Sequence, residues 1–412
     1  MGDLIIALAI PVFFALIGVE WAVSAVKRHK VLRFFDAISD LSCGIGSQVT
    51  GLFLFGALGF VYNAVHERFA LFDIQESLAT YIVVGVVVDF IYYWWHRASH
   101  RTNWIWAAHI VHHHSQDYNL AVALRQAWFT KYSSFLFYLP LAVVGVPLKV
   151  FIICELVNTL YQFWIHTRLV GKLGPLEWIL NTPSHHRVHH GINPDYIDKN
   201  YAGILIIWDR MFGTFVEENE EVVYGTVTPL GTGDPFWANL HYWKEMWLLS
   251  KQGESLTDKF YAFFAPPEWT PEGDKEIPPV DATTYEKWTP KSAPFAVPYV
   301  VVHFIVATLG LVALLAFKAD LSKTQVVIGG LLIMWCTHSF TGLLEDAHRH
   351  TRRVVVSEVL RLVLTPLWVW ETGASWPHLQ SMVTTLSVLS LGSLLVMWAV
   401  FGPGGRLERD RV

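Results

Sequence analysis

The sequence predicts an all-α fold, a polytopic membrane helix bundle of about nine spans whose histidines gather on the cytoplasmic side. Three observations support this prediction. First, the 412 residues are 53% hydrophobic and 16% charged, with a mean hydropathy of +0.36, which is too apolar for an ordinary soluble protein. Second, long apolar runs recur along the whole chain. Third, 11 of the 19 histidines lie between His96 and His190, close to the ends of such runs.

The first apolar run, residues 3–25, is long enough to cross about 30 Å of hydrocarbon. No basic segment precedes it and several basic residues follow it, so we expect a retained span and not a cleaved signal peptide. Basic residues favour the cytoplasmic side, which places the N-terminus outside and the loop of residues 26–42 inside. Spans two and three are predicted at residues 43–64 and 78–95.

A hairpin of two more spans is predicted at residues 127–145 and 148–166, turning at Val146-Pro147 and returning to the cytoplasmic side. Residues 167–294 contain no spanning run and end in a Pro-rich acidic segment that is typical of a loop. Four further apolar runs follow at residues 295–317, 324–343, 354–370 and 380–401. Basic residues between the second and third of these runs fall on the cytoplasmic side of a nine-span chain, as the positive-inside rule requires.

These features set the predicted domain boundaries and exclude some protein classes. The predicted domains are a membrane domain at residues 1–250, a Pro-rich linker at 251–294 and a C-terminal four-span membrane domain at 295–412. The net charge of -5 gives no indication of nucleic-acid binding. The three cysteines are scattered through apolar runs, so they predict neither a disulfide framework nor a thiolate metal site.

The histidines between residues 96 and 190 form three dense clusters and one outlier. Their members are His96 and His100; His109, His112, His113 and His114; His166; and His185, His186, His189 and His190. Residues three and four apart lie on one face of a helix. Clustered imidazoles lose hydration and repel one another when protonated, so packing alone gives little reason to gather them. The pattern therefore indicates neutral imidazoles around metal ions.

The number of histidines predicts two metal ions, because nine imidazoles exceed the roughly four to six ligand positions of one ion. The nine predicted ligands are His96, His100, His109, His112, His113, His166, His186, His189 and His190. His114 and His185 lie off the shared faces and are not assigned. Imidazole suits iron, copper and zinc alike, so the residues leave the metal open. Hydrogen-bonded structural roles are expected for the isolated residues His29, His66, His241, His303, His338 and His378.

Polar residues inside the apolar spans predict a supporting layer around the histidines. Asp89 lies seven residues before His96 on the same face of a predicted span, where a carboxylate needs a partner. We expect it to orient a ligand imidazole through the ring nitrogen that faces away from the metal. Asn158 and Gln162 form a stripe with His166 along another span. Helix–helix hydrogen bonding is the alternative role for these two amides.

Three segments of the chain carry a family resemblance. The stretches HRASH, HIVHHHSQDYNLAVALRQ and NTPSHHRVHHGINPDYIDKNYAGILIIWDRMFGTF closely resemble the fatty acid hydroxylase (sterol desaturase) superfamily, and within it the alkylglycerol monooxygenase family. The resemblance covers roughly residues 80–220 and includes parts without histidine, such as ALRQ and WDRMFGTF. It is therefore more specific than the histidine spacing.

The resemblance implies a non-haem di-iron membrane oxygenase, with its active site on the cytoplasmic side. Such an enzyme uses O2 to hydroxylate a lipid C–H bond, here the ether-linked alkyl carbon of alkylglycerols, with tetrahydrobiopterin as reductant. The better-known animal members carry Glu directly after the second histidine of the first motif, where this chain has Arg101. Because the charge at a position associated with the pterin is reversed, we expect a different external electron donor. The expected partners are the lipid bilayer, a lipid substrate, O2 and that donor.

Three other functions fit parts of the pattern. A sterol or fatty acid hydroxylase or desaturase of the same superfamily would share the metals and differ in product. A metal transporter would carry histidines along a pore, and it predicts polar residues through the thickness of several spans. A lipid-binding membrane protein with a structural metal would consume no O2.

Overall fold

The computed structural model describes residues 2–28, 30–292, 295–345, 351–373 and 380–401. Across this part of the chain the fold is helical and contains no strand, only isolated bridges that pair Leu180 with Leu205 and Gly191 with Tyr224. The all-α prediction is therefore confirmed. The predictions for His29 and His378 lie outside the described residues.

The chain divides into two compact units, which we call the larger unit (residues 12–232 and 236–288) and the smaller unit (residues 1–11, 233–235 and 289–412). The domain boundaries drawn from the sequence stay a prediction. Most of the predicted linker packs within the larger unit, where Gln116 Nε2 donates to Tyr285 Oη at 2.9 Å and the Trp288 amide donates to Gln116 Oε1 at 2.8 Å.

Eleven α-helices begin before residue 289 in the described chain. They are α1 (Gly2–Lys27), α2 (Phe34–Phe69), α3 (Leu78–Arg101), α4 (Asn103–Ala107), α5 (Ile110–His113), α6 (Thr130–Val144), α7 (Leu148–Trp164), α8 (Pro183–His189), α9 (Ile207–Phe212), α10 (Pro235–Gln252) and α11 (Leu256–Tyr261). The helices of the smaller unit that follow are α12 (Ala296–Phe317), α13 (Lys323–Leu344), α14 (Thr351–Gly373) and α15 (Gln380–Phe401).

The helices α2, α3, α6 and α7 form the core of the larger unit. Tyr62 of α2 is fully buried among aliphatic residues of α3, α6 and α7, and its hydroxyl donates to the Val146 carbonyl at 3.0 Å. The turn between α6 and α7 requires glycine, because Gly145 has φ +106° and an added Cβ would lie 1.9 Å from the Phe72 carbonyl oxygen. This packing places the C-terminal ends of α3 and α7 beside each other.

Six described helices are long and apolar enough to cross a membrane, judged by length and composition alone. They are Leu8–Lys27, Phe34–Phe69, Leu78–Arg101, Ala296–Asp320, Lys323–Leu344 and Thr384–Phe401. The helices α6 and α7 form the predicted hairpin, but their 15 and 17 residues extend only about 22 and 26 Å, less than the roughly 30 Å of the hydrocarbon layer. Helix α14 is long enough but carries several charged residues. The prediction of nine spans is therefore not confirmed.

Helix α2 begins well before the predicted second span, because carboxylates in its first turns have buried partners. Asp40 is fully buried, and its Oδ1 accepts from Arg125 Nη1 at 2.9 Å while its Oδ2 accepts from Ser115 Oγ at 3.1 Å. Arg33, just before the helix, contacts Asp36 at 2.7 Å. The partners of Asp40 are distant in the chain, so the sequence alone predicted a loop at residues 26–42.

Candidate metal centre

Nine buried histidines meet in the larger unit as two adjacent groups. The five-histidine group contains His96, His100, His109, His113 and His189, and the four-histidine group contains His112, His166, His186 and His190. Within each group one ring nitrogen from every residue lies within 4.8 Å of the others. These are the nine residues that the sequence predicts as ligands, and the structure brings all of them together.

Helix geometry explains how the two short histidine helices serve both groups. His109, which precedes α5 as its N-cap, and His113 one turn later face the five-histidine group, while His112 faces the four-histidine group. The arrangement at α8 is the opposite. His186 and the C-cap residue His190 face the four-histidine group, while His189 faces the five-histidine group. Helical spacing predicts one shared face for such residues, whereas the structure divides them between two neighbouring groups.

The start of α8 is fixed by Pro183 and by contacts with Glu177. Pro183 occupies the first turn, where a missing amide hydrogen costs little. The hydroxyls of Thr182 and Ser184 donate to Glu177 Oε1 at 2.8 and 3.1 Å. These bonds set the rotation of α8 and therefore the direction of its imidazoles.

The facing Nε2 atoms are close enough to share metal ions. In the five-histidine group, the Nε2 atom of His109 lies 3.0 Å from that of His96 and 3.2 Å from that of His113. In the four-histidine group, the Nε2 atom of His166 lies 3.2 Å from that of His112 and 3.0 Å from that of His186. Two nitrogens at right angles on an ion, each about 2.1 Å away, would be about 3.0 Å apart. The separations therefore fit neighbouring ligand positions.

Backbone carbonyls hold the opposite ring nitrogens of four of these histidines. The pairs are His96 Nδ1 with Tyr201 O at 2.7 Å, His112 Nδ1 with Arg125 O at 3.0 Å, His166 Nδ1 with Gln162 O at 2.7 Å and His189 Nδ1 with Lys199 O at 2.9 Å. A carbonyl can only accept, so in the neutral imidazole each Nδ1 carries the hydrogen. The lone pair is then on Nε2, which faces the group.

Unpaired ring nitrogens provide a test of whether a metal fits. The Nε2 atoms of His100, His189 and His190 are buried and have no hydrogen-bond partner among the described residues. A buried polar atom without a partner is costly. A metal ion in each group would satisfy these atoms, so the donor set fits metal binding.

Burial also keeps the imidazoles neutral, as metal binding requires. Loss of hydration lowers the pKa of His109, His113 and His186 well below the usual histidine range, and the neighbouring imidazoles lower it further. The same burial lowers the pKa of His112 to about 4. These residues therefore present lone pairs at neutral pH.

The predicted hydrogen bond from a histidine to Asp89 is absent among the described residues. Asp89 Oδ1 instead accepts from Asn158 Nδ2 at 2.7 Å and the Ile204 amide at 2.7 Å, while Oδ2 accepts from the Leu205 amide at 3.0 Å and Trp208 Nε1 at 2.9 Å. Four donors occupy the lone pairs of the carboxylate. Asp89 therefore fixes the segment that follows Tyr201 and acts on His96 only through that backbone.

The two predicted amides connect this carboxylate to the four-histidine group. Gln162 Nε2 donates to Asn158 Oδ1 at 2.7 Å, and Tyr92 Oη donates to Gln162 Oε1 at 2.7 Å. The backbone carbonyl of Gln162 holds His166, as described above. Both amides thus hydrogen-bond between helices and also position the group, which combines the two roles considered from the sequence.

Asp209 is a positioning residue that the sequence analysis did not assign. Its Oδ1 accepts a hydrogen bond from the Tyr201 amide at 2.8 Å, and its Oδ2 accepts one from the Ala202 amide at 2.8 Å. Its Oδ1 also accepts a hydrogen bond from Thr214 Oγ1 at 2.7 Å. Asp209 therefore fixes the carbonyl that holds His96. The stretch WDRMFGTF, which contains Asp209 and Thr214, was the available signal.

The other histidines of the described part of the chain lie outside both groups. His114 packs against His241 with ring centroids 4.8 Å apart, and His185 packs against Phe215 at 5.3 Å. The isolated residues His66, His241, His303 and His338 each make a hydrogen bond, as expected for structural histidines.

Arg101 lies at the edge of the five-histidine group and is paired within the chain. Its Nη1 contacts Asp198, its Nη2 lies 2.8 Å from Glu268 Oε1, and its side chain is 43% exposed. The other oxygen of Asp198 lies 3.6 Å from His100 Nδ1. The guanidinium is therefore neutralised by two carboxylates of the larger unit.

Comparisons with known proteins agree with this site. Residues 81–214, which include all nine histidines, match the fatty acid hydroxylase family. Alkylglycerol monooxygenases from Xenopus tropicalis, Homo sapiens and Danio rerio are 42%, 37% and 39% identical over 71%, 92% and 87% of this chain, and over 67%, 84% and 81% of their own lengths. No solved structure gives a significant match. Together the histidine groups and these matches indicate a metal site, and the chain belongs to the alkylglycerol monooxygenase family of membrane lipid hydroxylases.

Proposed function

We propose that this protein is a di-iron membrane monooxygenase that uses O2 to hydroxylate the ether-linked alkyl carbon of alkylglycerols. The observation that carries the proposal is the pair of adjacent, buried, neutral histidine groups in a chain that resembles alkylglycerol monooxygenases over most of its length. The product would be a hemiacetal, which breaks down to an aldehyde and glycerol.

The donor set supports two metal ions. Five histidines surround one position and four surround the other, which are reasonable ligand numbers for single ions. Iron is favoured over zinc because zinc has no redox chemistry. Bound iron would supply the activation of O2 that hydroxylation of an unactivated C–H bond requires.

The residues of the chain position the metals and exclude water. The Nδ1 contacts to backbone carbonyls orient four imidazoles before any metal binds, so little reorganisation is needed. His96, His112 and His189 are at most 8% exposed, which limits the access of water to the reacting atoms. The substrate chain would enter from the bilayer, with its polar head at the membrane interface.

Arg101 supports the proposal of an electron donor other than tetrahydrobiopterin. A guanidinium only donates hydrogen bonds, and the donors of this one already contact Asp198 and Glu268. The site therefore lacks, at this position, the carboxylate associated with the pterin in better-known members. A ferredoxin or flavoprotein is the class of donor that we propose.

The arrangement of the histidines argues against a transporter. A conducting path needs polar groups through the thickness of several spans, whereas these nine residues lie at the C-terminal ends of α3 and α7 and in the short helices beside them. A lipid-binding protein with structural metal is separated by O2 uptake, as described next.

The test is O2 consumption by purified protein with iron(II), a reductant system and either alkylglycerol, fatty acid or sterol, followed by mass analysis of the products. We expect O2 uptake and aldehyde release with the alkylglycerol. His189→Ala should abolish both, while His338→Ala, outside both groups, should retain them. A hydroxylated fatty acid or sterol as the main product would replace the proposed substrate, and no O2 uptake with any lipid would refute the monooxygenase proposal.

We propose that the site lies on the cytoplasmic side, which the distribution of basic residues supports, and this proposal needs its own experiment. The three native cysteines are buried, so an added surface cysteine can be labelled selectively. Glu254→Cys lies in an exposed turn of the larger unit. We expect an impermeant thiol reagent to label it only after cells are opened, and labelling in intact cells would place this turn outside.

A further inference from the structure

The smaller unit contains a cavity of about 320 Å³ that is unrelated to the histidine groups. Residues of α12, α13, α14 and α15 line it, and most of them are aliphatic or aromatic. Gly310 lies in its wall, where the absence of a side chain leaves room, while Gly329 accommodates the ring of Trp368, whose nearest atom would lie 2.7 Å from an added Cβ. The volume falls within the range of small-molecule sites, roughly 300–1,000 Å³.

One face of α14 adds a polar stripe to this apolar wall. Arg361, Thr365, Trp368 and Thr372 follow one another at spacings of four, three and four residues, so they lie on one side of the helix. Thr365 Oγ1, Trp368 Nε1 and Thr372 Oγ1 are buried and have no hydrogen-bond partner among the described residues. Thr372 is only 3% exposed.

These three unpaired groups need an explanation. A threonine inside a helix can satisfy its hydroxyl by donating to the carbonyl four residues earlier, and neither threonine does so here. An unpaired polar group in a dry interior is costly, and it persists most readily where a ligand supplies the partner. All three groups can donate hydrogen bonds, and the Trp368 ring nitrogen can only donate.

The charge at the end of the stripe is already balanced. Arg361 Nε donates to Glu358 Oε2 at 2.8 Å, its Nη2 contacts Glu358 and His303, and Tyr299 also donates to Glu358. Both members of the ion pair are at most 3% exposed. An anionic ligand would therefore find no uncompensated positive charge to offset its desolvation.

We propose that this cavity binds an uncharged lipid whose compact head carries two or more acceptor oxygens and whose chain lies against the aliphatic wall. Thr365 and Thr372 lie seven positions apart, which corresponds to about 10 Å of helix, so a head with a single oxygen could not reach all three donors. A glycerol ether and a long-chain quinone share this chemistry. The proposal goes beyond the proposed hydroxylation and does not depend on the metals.

Equilibrium binding to the purified full-length protein in nanodiscs tests the proposal. The probes are a 1-O-alkylglycerol and a short-tailed quinone, each challenged by an excess of plain alkane. We expect saturable, one-to-one binding of at least one probe, and which probe binds identifies the source of the head. Absence of saturable binding by both, or displacement by the alkane as effectively as by unlabelled probe, would show that the cavity is only an apolar void.

A filling variant locates the binding. Gly310→Phe places a ring in the cavity, while an added Cβ at this position meets only Ile333 at ordinary contact distance, 3.7 Å. The matched control is Gly392→Phe on α15, where the added atoms meet nothing within 4 Å. We expect Gly310→Phe to abolish binding and Gly392→Phe to retain it. Equal binding by both variants would place the lipid elsewhere and overturn the proposal.

Removing the two hydroxyls tests the polar stripe. Thr365→Val with Thr372→Val should weaken binding roughly two- to tenfold for each lost hydrogen bond. The ligand-free variant should unfold at the same temperature as the wild type or higher, because it loses two unpaired polar groups. A lower unfolding temperature with unchanged affinity would assign the hydroxyls a structural role and refute their part in binding.

Discussion

Asp89→Asn tests whether a buried carboxylate positions the metal centre through the backbone. Asp89 is 1% exposed and accepts four hydrogen bonds, from Asn158 and Trp208 side chains and the amides of Ile204 and Leu205. The amide of asparagine has one acceptor oxygen, so its NH2 group would face two of these four donors. The substitution keeps the size of the side chain and changes only its hydrogen bonding.

The magnitude follows from the bonds that are lost. A hydrogen bond to a charged group contributes about 1.5–3 kcal/mol, so two lost bonds amount to roughly 3–6 kcal/mol. Relief from burying a charge offsets part of this, and we expect a net loss of about 2–5 kcal/mol against a typical total of about 5–15 kcal/mol. The fold should survive. The affinity for metal should fall on the order of 10–100-fold, because the shifted backbone carries the Tyr201 carbonyl that holds His96.

The assay combines thermal unfolding of the metal-free protein with metal analysis after dialysis against buffered iron(II). Asp73→Asn is the matched control, because Asp73 is exposed in the loop before α3, and it should behave as the wild type. If Asp89→Asn keeps both the wild-type unfolding temperature and the wild-type metal content, the carboxylate does not position the centre and this reasoning is wrong.

Three further predictions concern the metals and the electron donor. His113→Ala should lower the metal content of the purified protein whereas His114→Ala should not, and equal losses would contradict the separation of these neighbours. Removal of metal with a chelator should lower the unfolding temperature, since a ligand that binds only the folded state stabilises it. Adding either iron(II) or zinc should restore the unfolding temperature, but only iron(II) should restore turnover. Turnover with zinc would exclude iron chemistry. Arg101→Glu would place a third carboxylate beside Asp198 and Glu268 and should reduce turnover with the native donor more than Arg101→Gln does. Tetrahydrobiopterin should support turnover weakly compared with a ferredoxin or flavoprotein donor, and saturable pterin dependence would contradict our interpretation of Arg101.

The histidines that form the site could be predicted from the sequence, because clustered imidazoles in an apolar chain lose hydration and are seldom gathered for packing alone. Its division into two groups could not. Helical periodicity gives the angle between residues of one helix, but α5 has only four residues and α8 seven. The direction of a short helix such as α8 depends on contacts with residues distant in the chain, such as those of Arg187 with Glu218, which no local pattern encodes.

The supporting layer was predicted less well for a related reason. Backbone carbonyls of Arg125, Lys199 and Tyr201 hold three of the histidines. Every residue has a backbone carbonyl, so the sequence does not reveal which ones accept a hydrogen bond from a histidine. The count of nine spans is not confirmed, because hydropathy measures apolar composition and not helix length. Helices α6 and α7 are apolar, but Gly145 and Pro147 lie between them and keep both short.

The exchange of ligands between α5 and α8 makes the two groups interdependent. Each of these helices, together with the histidine that caps it, supplies two histidines to one group and one to the other, so neither group can be complete unless both helices are in place. The loop after α8 is held accordingly: Asn200 Nδ2 donates to the carbonyls of His185 and Val216, and Asn181 Nδ2 donates to the Ala202 carbonyl at 2.6 Å. A shift of this loop would disturb His96 and His189 through their carbonyl contacts, and through α8 it would disturb the four-histidine group as well. Because a single loop stabilises both histidine groups, we expect the two proposed metals to be bound or lost together.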